Sequence, residues 1–102
     1  MKKHNLLITI AFILSSIAAN SADDYTKELF ELYCQSCHST KASGAPQAFD
    51  HEIWQQRIKE KGIKTLVENS IKGIGNMPPL GMCMECGEED FQHLIRYMAK
   101  KP

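Results

Sequence analysis

Apolar residues recur every three or four positions along four stretches of this chain, which is the spacing of helices with one buried face. The first stretch runs up to Cys34, and the second runs from Asp50 to Gly62. The third ends at Gly73, and the fourth covers the last part of the chain. Their inward positions are predicted to be Tyr25, Leu29, Phe30, Leu32 and Tyr33; Ile53, Trp54, Arg57 and Ile58; Leu66, Val67 and Ile71; and Phe91, Leu94, Ile95 and Met98. No stretch alternates like a strand, so the pattern predicts a single all-α domain of about four short helices.

The ends of these helices carry ordinary termination signals. Asp50 is a suitable N-cap for the second helix, and Gly62 and Gly73 are suitable stops for the second and third. Three acidic residues over 88–90 suit the N-terminus of the fourth helix. The intervening residues 73–87 are rich in Gly, Pro, Met and Cys, which predicts a loop.

The N-terminal residues differ from the rest of the chain. A basic start is followed by an apolar run over 6–19 and then by small residues. This order is typical of a secretory signal peptide, here cleaved near Ser21 or Ala22. A retained anchor is the alternative, but about 14 apolar-dominated residues fall short of the roughly 20 that span a bilayer. We expect a cleaved signal peptide over 1–22, no permanent membrane anchor, and a periplasmic domain over 23–102.

The charge balance excludes one class of function. The full chain has 12 basic and 12 acidic residues, and loss of Lys2 and Lys3 with the signal peptide leaves a small acidic excess. Nucleic-acid binding is not expected, because it needs a basic face for phosphates. A domain of about 80 residues has a small apolar core and often recruits disulfides or a bound group. All four cysteines of the chain lie in this exported part.

Cys34-Gln35-Ser36-Cys37-His38 has the form C-x-x-C-H. Two thiols three residues apart on one helical turn reach the two vinyl groups of a haem, and the adjacent histidine offers an imidazole nitrogen to the iron. Covalent attachment also retains the haem outside the cytoplasm. We therefore predict one haem c attached to Cys34 and Cys37, with His38 as its proximal iron ligand.

Two other interpretations of the Cys34–Cys37 pair are a thioredoxin-like redox pair and half of a zinc site. Redox pairs of this spacing usually lie in a βαβ context, and no strand is predicted here. A four-cysteine zinc site expects pairs about 15–20 residues apart, whereas 45 residues separate Cys37 from Cys83. Zinc-binding thiolates are also at risk of oxidation in an exported protein. Haem attachment is the favoured interpretation.

Met77 is the predicted second axial ligand. It precedes Pro78 and Pro79, which restrict the backbone of the loop and so reduce the entropy lost when the thioether is held in place. The competing sulfur atoms belong to Met82 and Met84, whereas Met98 lies on the apolar side of the last helix. Ligation by one histidine and one methionine raises the reduction potential relative to two imidazoles.

His51 and His93 are the candidates for a site with two histidine ligands. His51 falls in the opening turn of the second helix, and His93 falls on a helix of mixed faces. We interpret both as ordinary surface or boundary residues.

Cys83 and Cys86 form a second C-x-x-C pair, which is followed by Gly87 instead of histidine. It is therefore not a second haem site. In an oxidising compartment the two cysteines are expected to form a disulfide, which contributes roughly 2 kcal/mol for so short a loop. A catalytic disulfide is the alternative.

These motifs together resemble the monohaem class I cytochromes c, and specifically those of the cytochrome c5 type. The matching segments are Cys34–His38, Gly44-Ala45-Pro46, Trp54 with Arg57, Met77-Pro78-Pro79 with Gly81, Cys83 with Cys86, Glu88–Phe91 and Ile95–Met98. The match covers nearly all of residues 23–102. The extra C-x-x-C pair separates this type from most other small cytochromes c.

The resemblance implies crossed N- and C-terminal helices, a Cys83–Cys86 disulfide, and Met77 as axial ligand. It also implies that Trp54 packs near the haem and its propionates, which is compatible with a role as a core aromatic. Arg57 either neutralises a propionate or is a solvated helix charge. Gly87 departs from the family pattern, in which a capping Ser or Thr is usual, and this change is expected to weaken the last helix slightly.

The expected function is the transfer of single electrons, without catalysis of a substrate reaction. Within a respiratory chain, transient docking is expected with a donor and with an acceptor such as a terminal oxidase or a reductase. A monomer is expected, with a dimer as the alternative. The alternative functions are a haem-based sensor of small ligands, in which Met77 dissociates, and a thiol–disulfide oxidoreductase using Cys83 and Cys86.

Overall fold

The computed structural model describes residues 10–11 and 21–102. These residues form five α-helices: α1 Ser21–Leu29, α2 Gln35–His38, α3 His51–Lys61, α4 Ile63–Lys72 and α5 Glu88–Met98. A π-helical turn, Phe30–Cys34, joins α1 to α2, and 3₁₀ turns cover Lys41–Ser43 and Pro79–Met82. No β-strand occurs in the described residues, where the only bridge pairs Ile74 with Met77. The predicted all-α fold is confirmed.

Most of the signal peptide predicted over residues 1–22 lies outside the described residues. Ser21 and Ala22, at the proposed cleavage point, belong to the first turn of α1. Within residues 10–11 and 21–102, no helix has the length and apolar character needed to cross a bilayer.

The first helical segment continues past Cys34 to His38, and its buried face differs from the prediction. Thr26, Leu29 and Phe30 are buried, whereas Tyr25 is 45% exposed and Leu32 is 64% exposed. The predicted inward positions of Tyr25 and Leu32 are therefore wrong. Residues 26, 29 and 30 keep the helical i, i+3, i+4 spacing, and the Thr26 hydroxyl is satisfied because it donates to the Ala22 carbonyl at 2.9 Å.

The core forms where α5 packs against both α1 and α4. Leu29 and Leu94 are each 1% exposed, and full burial of such a side chain stabilises a fold by about 1.5–3 kcal/mol. Four apolar residues of α5 are buried as predicted, namely Phe91, Leu94, Ile95 and Met98. The contact between α1 and α5 brings the first and last helices of the domain together.

The predicted limits of the second and third helices are confirmed. The Asp50 side chain accepts a hydrogen bond from the Ile53 N–H at 3.4 Å, and Gly62 follows the last residue of α3. Gly62 has φ +80° and also precedes α4, so one glycine ends one helix and starts the next. Gly73, with φ +83°, ends α4.

Gly87 is the N-cap of α5 and has no side chain to accept a hydrogen bond. Only the reverse arm of a capping box is present, in which the Gly87 N–H donates to the Asp90 carboxylate at 2.8 Å. A disulfide bond joins Cys83 to Cys86 just before this helix, with their Cα atoms 5.4 Å apart. Both cysteines belong to the buried core cluster that also contains Phe91 and Leu94 of α5.

Candidate haem site

One cavity of about 410 Å³ brings together residues that are distant in the sequence. Its lining includes all six predicted haem-contact residues: Cys34, Cys37, His38, Trp54, Arg57 and Met77. The apolar part of its wall is completed by α5 through Phe91, Leu94, Ile95 and Met98. The volume lies within the range of about 300–1,000 Å³ typical of cofactor pockets.

The two cysteines of the C-x-x-C-H segment lie on the last turn of the first helical segment. Cys34 is half-buried, Cys37 is exposed, and neither forms a disulfide within residues 10–11 and 21–102. Burial raises the pKa of the Cys34 thiol from 9.0 to about 11. A redox-active or nucleophilic cysteine needs a lowered pKa, so this environment does not favour the thioredoxin-like interpretation.

His38 is buried and is held in one orientation by the backbone. Its Nδ1 atom lies 2.7 Å from the Pro46 carbonyl oxygen. A carbonyl only accepts, so Nδ1 carries the proton and Nε2 keeps its lone pair for a metal. The Trp54 ring packs against the imidazole, with ring centroids 6.0 Å apart. The histidine is thus prepared as a ligand through Nε2.

Met77 is held by a tight turn that follows α4. The Ile74 N–H donates to the Met77 carbonyl at 3.1 Å, and the Met77 N–H donates to the Ile74 carbonyl at 2.9 Å. Gly73 packs so closely that a Cβ atom there would lie 2.9 Å from the Met77 carbonyl oxygen. A Cβ on Gly81 would lie 3.1 Å from Met77 Cε. Two glycines therefore make room for the loop and for the thioether.

Trp54 is 4% exposed, and its Nε1–H donates to the Gln47 carbonyl at 2.8 Å. Trp54 lines the cavity, and because its N–H is already bonded to the backbone, that donor is not available to a bound group. This agrees with a packing role beside His38.

Arg57 provides a test of whether the cavity fits haem. Its Nε atom is buried and has no hydrogen-bond partner in the described part of the chain. A buried donor without a partner destabilises the folded state by about 1–3 kcal/mol, and by more when the group is charged. Arg57 lines the cavity, so an anionic group bound there would satisfy this donor. The carboxylates of haem are such groups, and the residues present fit the cofactor.

Two methionines and two histidines were alternatives to Met77 as the second iron ligand, and they differ in their positions relative to the cavity. Met82 lines the cavity but is 67% exposed, whereas Met84 is 81% exposed and is not part of the lining. The Nδ1 atom of His51 lies 2.8 Å from the Ala99 carbonyl oxygen, and His93 is exposed. Neither histidine lines the cavity.

The alternatives that use the cysteines are not favoured by their surroundings. Cys83 is 1% exposed and Cys86 is 7% exposed, whereas thiol–disulfide exchange needs an accessible sulfur. No group of three or more His, Cys, Asp or Glu side chains is arranged to hold a metal ion within 10–11 and 21–102. The described residues therefore contain no zinc site of that kind.

Sequence reasoning missed the groups that hold the loop next to His38. The Pro46 carbonyl bonds the imidazole, and the Ser43 hydroxyl lies 2.6 Å from the Cys37 carbonyl oxygen and 2.7 Å from that of Thr40. Gly44-Ala45-Pro46 was a visible signal for this loop, but nothing in the sequence shows which backbone carbonyl meets the imidazole.

An all-α domain that brings a C-x-x-C-H segment and a loop methionine into one apolar cavity has the architecture of a c-type cytochrome. Residues 22–98 match the family profile described as cytochrome C oxidase, cbb3-type, subunit III. The chain is 32% identical to cytochrome c5 of Ectopseudomonas mendocina, over 79% of this chain and 90% of that protein. It is 33% identical to cytochrome c5 of Azotobacter vinelandii, over 79% of this chain and 94% of that protein.

A third relative, cytochrome c-555 of Chlorobaculum tepidum, is 34% identical over 71% of this chain and 69% of that protein. The chain belongs to the cytochrome c family, as a monohaem class I cytochrome c of the c5 type. Its cofactor is a covalently bound haem c, and it is an electron-transfer protein that interacts with redox partners.

Proposed function

We propose that this cytochrome carries single electrons in the periplasm, within a respiratory chain, using His38 and Met77 as the axial ligands of its haem. The observation that most supports this proposal is that Cys34, Cys37, His38 and Met77 all line the same cavity. When bound, the haem supplies one-electron chemistry between ferric and ferrous iron. Because two protein ligands leave no iron position for a substrate, we infer that the protein is not an enzyme.

Each of the chain's own residues has a separate role in this proposal. Cys34 and Cys37 form the two thioethers, and His38 presents Nε2 because Nδ1 donates to the Pro46 carbonyl. Met77 supplies the soft thioether that favours ferrous iron and so raises the potential. The buried apolar wall contributed by α5 excludes water from the haem.

Arg57 is proposed to bind a haem propionate. Its buried Nε atom has no other partner in the described residues, and the side chain lines the cavity beside Lys61. In the described part of the chain, no aspartate or glutamate lines the cavity. This positive surrounding favours the anionic edge of the haem on the Arg57 side.

Electron exchange is proposed to occur by brief docking close to the cavity. Ile74 is 48% exposed and Met82 is 67% exposed, and both line the cavity. Exposed apolar residues of this kind suit the small interfaces of transient redox complexes. The proposed partners are a donor and an acceptor such as a terminal oxidase or reductase, and the proposed oligomeric state is a monomer, which sedimentation of the holoprotein would measure.

Export is proposed to depend on a signal peptide over 1–22. The basic start and apolar run support it, and the family match begins at residue 22. Fusing residues 1–22 to a reporter that is active only outside the cytoplasm should give activity. An intact apolar segment in the purified protein would instead support a membrane-anchored form.

The attachment of haem is tested by acid–acetone extraction and by mass spectrometry. The haem should remain with the protein, and the mass should equal residues from about 22 or 23 onward plus one haem. Replacing Cys34 or Cys37 with serine should remove most of the mature holoprotein. Extractable haem, or a mature protein without haem, would contradict the proposed attachment.

Two assays separate the electron carrier from the other candidate functions. A sensor that releases Met77 would bind carbon monoxide readily in the reduced state near neutral pH, whereas the carrier should not. A thiol–disulfide oxidoreductase would reduce insulin disulfides, whereas the holoprotein should not.

A further inference from the structure

The loop between α2 and α3 contains a glutamine, Gln47, whose side chain crosses the loop. Its Nε2 atom lies 2.9 Å from the Ala45 carbonyl oxygen, 3.2 Å from that of Thr40 and 3.3 Å from that of Cys37. All three neighbours are acceptors, so the amide nitrogen, not the amide oxygen, must face them. One side-chain amide thus contacts three backbone carbonyls of the loop and of the haem-attachment segment.

The backbone on both sides of this residue is also fixed. The Gln47 carbonyl accepts from Trp54 Nε1 at 2.8 Å, and the Ala48 N–H donates to the His38 carbonyl at 2.7 Å. Between these contacts and the Ala45 carbonyl lies Pro46, whose carbonyl bonds His38 Nδ1 at 2.7 Å. Pro46 thus lies between the Ala45 carbonyl, which the Gln47 amide holds, and the Gln47 carbonyl, which Trp54 holds.

We propose that Gln47 is a positioning residue for His38: its amide holds the loop so that the Pro46 carbonyl stays bonded to the imidazole and thereby tunes the reduction potential. This inference rests on the proposed function, in which His38 is the proximal ligand. Partners of a ligating histidine fix its tautomer and orientation and raise its basicity.

The direction of the effect follows from the charge of the iron. A firm Nδ1–H···O bond places more electron density on the imidazole, and a more basic ligand favours ferric over ferrous iron. Loss of the Gln47 bonds lets the Pro46 carbonyl move and weakens that bond, so the potential rises. Direct loss of such a partner commonly costs 10- to 100-fold in metal affinity. For an indirect contact we expect about a threefold to tenfold shift in the reduction equilibrium, with tenfold equal to 59 mV for one electron.

The test compares Gln47→Leu with Gln56→Leu in the holoprotein. Gln56 is a matched control, because it is an exposed glutamine whose amide makes one bond, to Glu60 at 3.1 Å, and it does not line the cavity. The first readout is the reduction potential from a spectroscopic titration. The second is the exchange rate of the His38 Nδ1 proton, followed by NMR in the ferrous protein.

Gln47→Leu is expected to raise the potential and to speed exchange of the Nδ1 proton, while Gln56→Leu leaves both at the wild-type values. If Gln47→Leu matures poorly, Gln47→Met retains the length of the side chain without its N–H groups and is measured in the same way. Wild-type potential and exchange in either Gln47 variant would overturn the inference. If the wild type itself lacks covalent haem, the proposed function fails, which is a separate result.

Discussion

Replacing Gly73 or Gly62 with alanine separates two effects of an added Cβ atom: backbone strain, which both positions share, and steric contact with the Met77 loop, which only Gly73 has. Gly73 has φ +83° and ψ 147°, and Gly62 has φ +80° and ψ 153°. Both conformations are nearly restricted to glycine, so alanine at either position is strained by about 1–3 kcal/mol. The two glycines differ in their surroundings: a Cβ on Gly62 meets nothing within 4 Å, whereas one on Gly73 meets backbone atoms of the Met77 loop.

The contacts at Gly73 determine the additional cost. A Cβ there would lie 2.9 Å from the Met77 carbonyl oxygen and 2.9 Å from the Pro79 nitrogen. These are backbone atoms, so the loop itself must move, and inserting a group into a tightly packed site commonly costs about 1–3 kcal/mol more. We expect Gly73→Ala to lose about 2–6 kcal/mol of unfolding free energy, and Gly62→Ala about 1–3 kcal/mol.

Guanidinium unfolding followed by circular dichroism measures both losses. A second assay is the weak charge-transfer band of a methionine–iron bond, near the red end of the visible spectrum of the ferric protein. Gly73→Ala should weaken this band because the Met77 loop is displaced, and Gly62→Ala should retain it. Equal stability of the two variants, with the band intact in both, would refute the role of Gly73 in holding the methionine loop.

Replacing Arg57 with leucine should lower the reduction potential by about tens of millivolts, because loss of a nearby positive charge favours the more highly charged ferric iron; a redox titration measures this. Replacing both Cys83 and Cys86 with serine should cost about 2 kcal/mol of unfolding free energy in a denaturant titration while haem is retained. Partial burial and nearby carboxylates, among them Glu85, raise the pKa of Tyr25 above 10.0. Because the folded state disfavours the phenolate, its stability should fall as the pH rises from 10 through the folded-state pKa of Tyr25; in an ultraviolet pH titration, Glu85→Gln should move that pKa back toward 10.

The local signals of the sequence were sufficient for the helix limits. Asp50, Gly62 and Gly73 act through a cap or a backbone conformation that involves only near neighbours, so a sequence pattern reveals them. The attachment motif is equally local, because Cys34, Cys37 and His38 share one helical turn.

The orientation of the first helix was not predictable in the same way. Tyr25 and Leu32 are more apolar than Thr26, yet Thr26 is buried and the other two are exposed. The decisive fact is that the Thr26 hydroxyl bonds the Ala22 carbonyl within the helix, which removes the cost of burying it. A count of apolar residues does not register this compensation.

The environment of the candidate ligands depends on contacts between distant or irregular segments. The Pro46 carbonyl and the Gln47 amide act through contacts that the folded loop creates. The Arg57 Nε atom is buried without a partner among the described residues because of how α3 packs beside the cavity. No periodicity or motif reports such contacts, because each depends on the tertiary arrangement.

The most direct test of the account is the visible spectrum of the ferric protein and its redox titration in the wild type, Met77→Ala and Met82→Ala. Both methionines line the cavity, but only Met77 is proposed as a ligand. The account predicts that Met77→Ala loses the methionine–iron band, has a substantially lower potential and binds carbon monoxide when reduced, while Met82→Ala keeps all three wild-type properties. Survival of the band in Met77→Ala together with its loss in Met82→Ala would contradict the ligand assignment, and a wild type that lacks the band and binds carbon monoxide freely would contradict the electron carrier itself.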